Sequence, residues 1–427
     1  MQENNKNSFS FINEKRKEKP INKRRLMIQA GFVVVMAVVF GLVASVVFTY
    51  FQPKMEDIMY PEEEPLVTIP QDVVVDTEST ETEGVEEETE ATTEEPIVQE
   101  PQELELEDYQ KLQDKLYDVG RQANRFVVTV TGVKSDTDWF NNAYESKGQA
   151  SGIIIADNGQ ELLILTERKV ISDAQEIFVT FINEVTVEAS IKKYDGNTGI
   201  TVLSVPLEEI DEETMNGIAI AQLGNSLVTK QGTMAIAVGS PLGTNYSILA
   251  GNITSTTNSI STVDHNYTVF TTDIVGSSNG SGAIINVKGE VIGLVMQGYS
   301  SAGDQNTLTA LSISDLKAVI EMLSNNQDIP YIGLELTTVT NDIAREYDIP
   351  KGAYVKEVKM DSPAMAAGLQ NGDVITKMNG EPIFTVDGYE ERLREVTPGE
   401  TVKIVVERQG VEGYTEITCN VEVSVLQ

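Results

Sequence analysis

The stretch SSNGSGAIIN, Ser277 to Asn286, follows closely on TTD at Thr271 to Asp273. A small-residue turn dropping into an apolar strand is a place where a hydrolase can hold a hydroxyl nucleophile, and Ser278 and Ser281 are the hydroxyls on offer. Such a serine needs an imidazole to take its proton and a carboxylate to orient that imidazole. The chain has one histidine, His265, in STVDHNYTVF just ahead of the strand leading to this turn. Its ordinary place there is an exposed or loop-edge imidazole. The one cysteine, Cys419, excludes an intramolecular disulfide and any Cys-rich metal site. Within EITCNVEV it reads as a small apolar strand residue. No motif calls for a metal or a cofactor.

Several kinds of segment must position these residues. With 427 residues the chain is long enough for two or three domains, and a formal charge of −35 excludes a nucleic-acid partner. Residues 1–25 form a basic tail ending in NKRR, and residues 26–51 carry no charge. A helix over that run would span the hydrocarbon core of a bilayer, with the basic tail cytoplasmic and the rest outside. The apolar run is longer than that of a cleaved leader, so it reads as a retained anchor. Residues 52–106 are rich in Glu, Thr and Pro, a composition that predicts a disordered, extended linker.

From residue 107 the texture changes. EDYQKLQDKLYDVGRQANRF predicts an amphipathic helix with Tyr109, Leu112, Leu116 and Val119 on one face. Short β-branched runs follow, among them FVVTVTGV, ELLILT, GITVLSV and TMAIAVG, which predict a barrel or sandwich. SISDLKAVIEMLSNN, Ser312 to Asn326, is the helix that closes it. A second unit of domain size begins near Tyr331. The division is a basic tail (1–25), a transmembrane helix (26–51), a linker (52–106), a barrel domain (107–327) and a C-terminal domain (328–427).

DSPAMAAGLQNGDVITKMNGEPI, Asp361 to Ile383, resembles the helix–turn–strand signature of bacterial PDZ domains. The preceding segments ASGIIIADNGQELLILT, DGNTGITVL, VGSPLG, SILAGNITS, NGSGAIIN and GEVIGL resemble, in order, the HtrA (high-temperature-requirement, DegP/DegS-like) family of trypsin-like serine proteases. The resemblance implies a mainly β chain: a trypsin-like double β-barrel followed by a PDZ domain. It also implies a Ser-His-Asp triad, and each position can be checked. LTERKVI puts Lys169 where the family has histidine, and DGNTGITVL puts Gly199 where it has aspartate. NGSGAIIN puts Gly280 at the nucleophile, with Ser281 one residue late. The expectation is therefore a pseudoprotease with no catalytic residue.

An alternative dyad pairs Ser281 with Lys169 as base. It would need the lysine pKa lowered from ~10.4 towards ~7, about 4–5 kcal/mol of differential solvation. Glu167 and Arg168 beside it offer no dry pocket for that. Losing the triad leaves only ~10³–10⁴-fold over water. The N–H groups near Ser278 and Gly280 remain as donors for an anionic oxygen.

Peptide binding is the function that survives. In PDZ domains an extended peptide adds to a sheet edge and its terminal carboxylate is held by backbone N–H groups. The matching loop is Tyr331, Ile332, Gly333 and Leu334, with Leu393 of the facing helix as a pocket residue. The alternative for this loop is a plain first strand with an occupied or closed groove. Partners are then peptide C-termini or unfolded proteins, and the membrane through the single helix. By resemblance they include a homotrimer, or a mixed oligomer with an active relative in which this chain is a structural subunit. Trp139 and Phe140, in a polar loop, mark an interface or a loop packed on its own barrel.

Overall fold

Twelve strands, six to a barrel, carry the first domain. The computed structural model describes residues 65–72, 105–137, 143–301 and 306–426, with scattered positions between 27 and 45. The basic tail 1–25, most of the expected membrane segment, and the aromatic pair Trp139 and Phe140 lie outside the described residues. The positions described between 27 and 45, among them Phe32, Val35 and Phe40, are helical and exposed. Among the described residues no helix is long and apolar enough to cross a membrane.

The first barrel is built from β1 (Val127–Thr137), β2 (Ala143–Asp157), β3 (Glu161–Glu167), β4 (Glu176–Thr180), β5 (Thr186–Tyr194) and β6 (Ile200–Pro206), closed in the order β1-β2-β3-β6-β5-β4. ELLILTE and ITVLSVP are buried along almost their whole length. One side of each strand fills the barrel and the other is covered, so the period-two alternation of a half-exposed strand disappears. The second barrel uses β7 (Met234–Ser240), β8 (Ser247–Ser261), β9 (Asn266–Val275), β10 (Ser281–Ile285), β11 (Val291–Val295) and β12 (Thr307–Ser312), closed as β10-β11-β12-β9-β8-β7. Closure leaves neither sheet an unpaired edge. The hairpin of β8 and β9, 15 and 10 residues long, outreaches the five-residue β10 and β11.

The closing helix runs Ile313–Ser324 and turns Ile313, Leu316, Val319, Ile320 and Leu323 into the core, the spacing of an amphipathic helix. The N-terminal helix, Leu106–Ala123, uses only part of its apolar face. Leu116 and Val119 pack on the core, whereas Tyr109 and Leu112 are exposed. Gly120 sets the closest approach, since a Cβ there would lie 2.4 Å from Ile248 Cγ2.

Within the segment read as a linker, residues 65–72 are extended and docked on the closing helix. Val67 exchanges hydrogen bonds with the Asn325 amide, Ile69 is buried, and Asp72 pairs with the buried Lys317 at 2.8 Å. VTIP supplies the apolar anchor that its acidic neighbours lack.

In the C-terminal domain β13 (Pro330–Tyr331) pairs with β20 (Ser424–Val425). The main sheet runs β14 (Leu334–Thr338), β15 (Ala353–Val358), β16 (Val374–Met378), β18 (Thr401–Gly410) and β19 (Gly413–Glu422), with β17 (Glu381–Pro382) on β16. The helix Val386–Arg394 is capped by Thr385, whose hydroxyl accepts from the Gly388 N–H, and it buries Val386, Tyr389 and Leu393. Cys419 lies in this core, as its strand context predicts.

Candidate functional site

Lys169 and Gly199 lie on adjoining loops of the first barrel, and Gly280 lies in a turn of the second. β3 ends at Glu167 and passes into a 3-10 turn, Arg168–Val170, that carries Lys169. The loop from Asp195 to Ile200 lies against that turn, with the Arg168 N–H donating to the Gly199 carbonyl at 2.7 Å. β10 begins at Ser281 and pairs with β7 through Ser240 and Gly239.

The groups at these positions are held by local contacts. Gly199 has φ +76, a left-handed conformation that suits glycine, and brings no carboxylate. The nearest acid in sequence, Asp195, is buried and accepts from the Asn197 and Thr198 N–H groups and the Thr198 hydroxyl, tying its own turn together. Burial raises its carboxyl pKa, and those donors only partly offset this. Lys169 is partly exposed and its ammonium sits 2.7 Å from the Glu167 carboxylate. Burial pushes the Glu167 carboxyl above its usual range while Lys169 opposes the shift.

The serine side is equally committed. Ser281 is buried, and its hydroxyl oxygen accepts the Ser151 N–H at 2.9 Å across the barrel seam. At Gly280 a Cβ would lie 2.8 Å from the Pro241 carbonyl oxygen and 3.0 Å from that of Ser277. Position 280 therefore has no room for a side chain. Within the same turn the Gly280 N–H donates to the Ser277 carbonyl at 2.8 Å, and the Ser277 N–H to that of Pro241 at 3.0 Å. The expectation that the Gly280 N–H stays open to an anionic oxygen is corrected by this closed turn.

His265 is buried rather than exposed, stacked on Tyr267 with ring centroids 6.2 Å apart. Burial, aided by the Arg394 charge, lowers its pKa to about 4, so the ring is neutral at ordinary pH. The long β8–β9 hairpin carries it away from β10 to the C-terminal domain, which is why a loop-tip histidine is covered.

The loop Tyr331 to Leu334 and the helix Val386–Arg394 bring a second set of expected residues together. Gly333 has φ +98, and a Cβ on it would lie 2.3 Å from the Ser362 Cβ, so only glycine fits. The N–H groups of Ile332, Gly333 and Leu334 converge on one point, and the Asp264 carboxylate occupies it. Tyr389, on the helix Val386–Arg394, adds its hydroxyl at 2.8 Å. Leu393 sits fully buried one turn further along the same helix face. Tyr331 is half-buried, beside the loop.

Sequence reasoning missed Asp264. Its hydrogen-bond partners in the loop lie 68 to 70 residues away, so no local pattern announces them. The available signal was the length of SILAGNITSTTNSIS, a strand too long for its barrel.

A trypsin-like peptidase domain matches residues 150–294 and a PDZ domain matches residues 330–422. Among curated relatives, a probable periplasmic serine endoprotease, DegP-like, of Hahella chejuensis is 30% identical over 275 residues, 63% of this chain and 56% of that protein. A protein of the same description from Ectopseudomonas mendocina is 29% identical over 279 residues, 64% of this chain and 56% of its own length. The chain thus spans little more than half the length of these relatives. Among solved structures, the HtrA-type protease AlgW with decapeptide superposes with a TM-score of 0.55 at 20% identity, over 73% of this chain and 98% of that one. At that identity the likeness is one of fold.

Proposed function

From a chain that joins a trypsin-like peptidase domain to a PDZ domain in the HtrA order, we propose an HtrA-family protein that has lost proteolysis and keeps peptide recognition. Its ligands are exposed peptide ends or unfolded protein, bound through the PDZ loop Tyr331 to Leu334, in quality control or regulation at the cell envelope. One observation carries the loss of proteolysis. Gly280 stands at the nucleophile position with the Pro241 and Ser277 carbonyl oxygens closed around it. Lys169 and Gly199 at the other two positions agree with it, since neither supplies the imidazole or the carboxylate of a triad.

The test is casein cleavage by the purified chain, together with labelling by an active-site phosphonate. No cleavage and no label on Ser281 is the expected result. Cleavage abolished by both Ser281→Ala and Lys169→Ala would replace this reading with the serine–lysine enzyme.

The uncharged run 26–51 serves as a single-pass anchor, with residues 1–25 cytoplasmic and the barrel and PDZ domains outside. The periplasmic description of the relatives agrees with that side of the membrane. Protease shaving of intact cells after opening of any outer barrier checks it: the C-terminal domains should be cut and the N-terminal tail protected. Assembly is through a homotrimer or a mixed oligomer with an active relative. The exposed face of Leu106, Tyr109 and Leu112 is the apolar surface available for it. Mass measurement of the purified chain distinguishes the two from a monomer.

A further inference from the structure

The tip of the β8–β9 hairpin lies where a peptide end would bind. Thr262 pins the tip by donating its N–H and its hydroxyl to the His265 carbonyl, each at 2.8 Å. Asp264 then adopts φ +61, a left-handed conformation that Asp tolerates better than most residues. Its carboxylate accepts the N–H groups of Ile332 at 2.8 Å, Gly333 at 2.7 Å and Leu334 at 3.1 Å, and the Tyr389 hydroxyl at 2.8 Å. The backbone continues the imitation. The Asp264 N–H donates to the Leu334 carbonyl at 2.6 Å, and the Ser261 hydroxyl and Asn266 amide donate to the Leu336 carbonyl. On the other side the Asn266 N–H donates to Glu390 at 2.7 Å. One short segment therefore touches both walls of the groove, strand β14 and the helix Val386–Arg394. A glycine loop giving several N–H groups to one carboxylate, with the next residues along the strand edge, is how a C-terminal peptide is captured.

We infer that the hairpin tip is an internal ligand of the PDZ groove, with Asp264 standing in for the terminal carboxylate, and that a peptide with a free C-terminus binds by displacing it. This rests on the reading of the PDZ domain as a peptide-end binder. The chemistry sets the ligand class. A competitor must bring two carboxylate oxygens to the loop Ile332–Leu334 and an extended backbone to β14. A C-terminal amide lacks the charge and cannot replace Asp264. The Asp264 carboxylate is fully buried, and burial raises its pKa in spite of its donors, so the internal ligand is held against a desolvation penalty. Displacement also frees the hairpin whose second strand, β9, runs on to the closed 277–280 turn.

The test uses the full chain and fluorescein-labelled decapeptides ending in free Ala, Val, Leu or Phe, with the matching amides as controls. Asp264→Asn keeps the shape of the side chain but faces donors with an amide group. It is expected to tighten binding of the acid peptides at least about ten-fold and to leave the amides unbound. Equal affinity of the wild type and Asp264→Asn for the acid peptides overturns the internal ligand and leaves the peptide-end reading standing. No binding to either chain, with Asp264→Asn unfolding as cooperatively as the wild type, overturns that reading and the competition with it. If Asp264→Asn does not fold, hydrogen exchange on the wild type decides. Saturating acid peptide, and not its amide, should deprotect the Asp264 amide; unchanged protection overturns the inference.

Discussion

Two glycine-bearing loops in this molecule use their backbone N–H groups in opposite ways. In the barrel, the turn 277–281 closes on itself, the Ser277 N–H donating to the Pro241 carbonyl and the Gly280 N–H to the Ser277 carbonyl. In the PDZ domain, the loop 331–334 still aims its donors at one point, and a carboxylate from another domain sits there. A buried donor left without a partner costs about 1–3 kcal/mol. Such donors are therefore paired in one way or another: the barrel turn pairs Ser277 and Gly280 with nearby carbonyls, and the PDZ loop pairs its three donors with one carboxylate.

The contrast can be broken most forcefully at Gly333. Alanine there meets Ser362 and a left-handed backbone, and Gly333→Ala is expected to lower stability by about 3 kcal/mol. Chemical denaturation of the full chain checks it; a shift under a third of that would mean the loop is pliable rather than preformed. Next is the barrel turn. Introducing Lys169→His, Gly199→Asp and Gly280→Ser together should yield no casein cleavage, because the backbone N–H of position 280 remains bonded to the Ser277 carbonyl. It should also cost about 2 kcal/mol through overpacking against the Pro241 carbonyl. Cleavage by that variant would show the turn reopening on demand and would erase the difference between the two loops.

A smaller effect sharpens the PDZ side. Glu390, which accepts the Asn266 N–H, has its pKa pushed from 4.5 up to about 8, first by burial and then by the Asp387 and Asp315 charges. Between those values the folded chain keeps a proton that the unfolded chain has released, so this group makes stability fall as pH rises from 4.5 towards about 8. Glu390→Gln should flatten that part of the profile. Melting temperatures across the window measure it, and parallel profiles would place Glu390 in solvent. The smallest effect belongs to Ser281→Ala, which removes the acceptor of the Ser151 N–H and should cost about 1–2 kcal/mol with no change in peptide binding. Isothermal titration with the acid decapeptides checks the second half of that statement.

Much of this was legible in the chain itself. The apolar runs of β3, β6 and β7 and the helix Ile313–Ser324 follow from local pattern, and DSPAMAAGLQNGDVITKMNGEPI fixes the second domain. Lys169, Gly199 and Gly280 are legible because the triad depends on residue identity, and an amine or a hydrogen atom in place of an imidazole or carboxylate needs no coordinates to interpret. The half-used face of the N-terminal helix was not legible, because periodicity marks a stripe and does not say how far its neighbour extends. The docking of residues 65–72 was hidden by acidic neighbours that dominate composition but not contact.

Sequence by itself determined the two domain types and the need for glycine at position 333. These depend on side-chain chemistry and on the local conformations that short segments favour. Only the tertiary structure decided that the barrel turn is shut, that His265 is covered, and that Asp264 fills the PDZ loop. Each depends on which backbone donor meets which acceptor across distant parts of the chain. Hydrogen bonds act over about 3 Å, and the positions that satisfy them are set by how barrel, hairpin and PDZ sheet pack together.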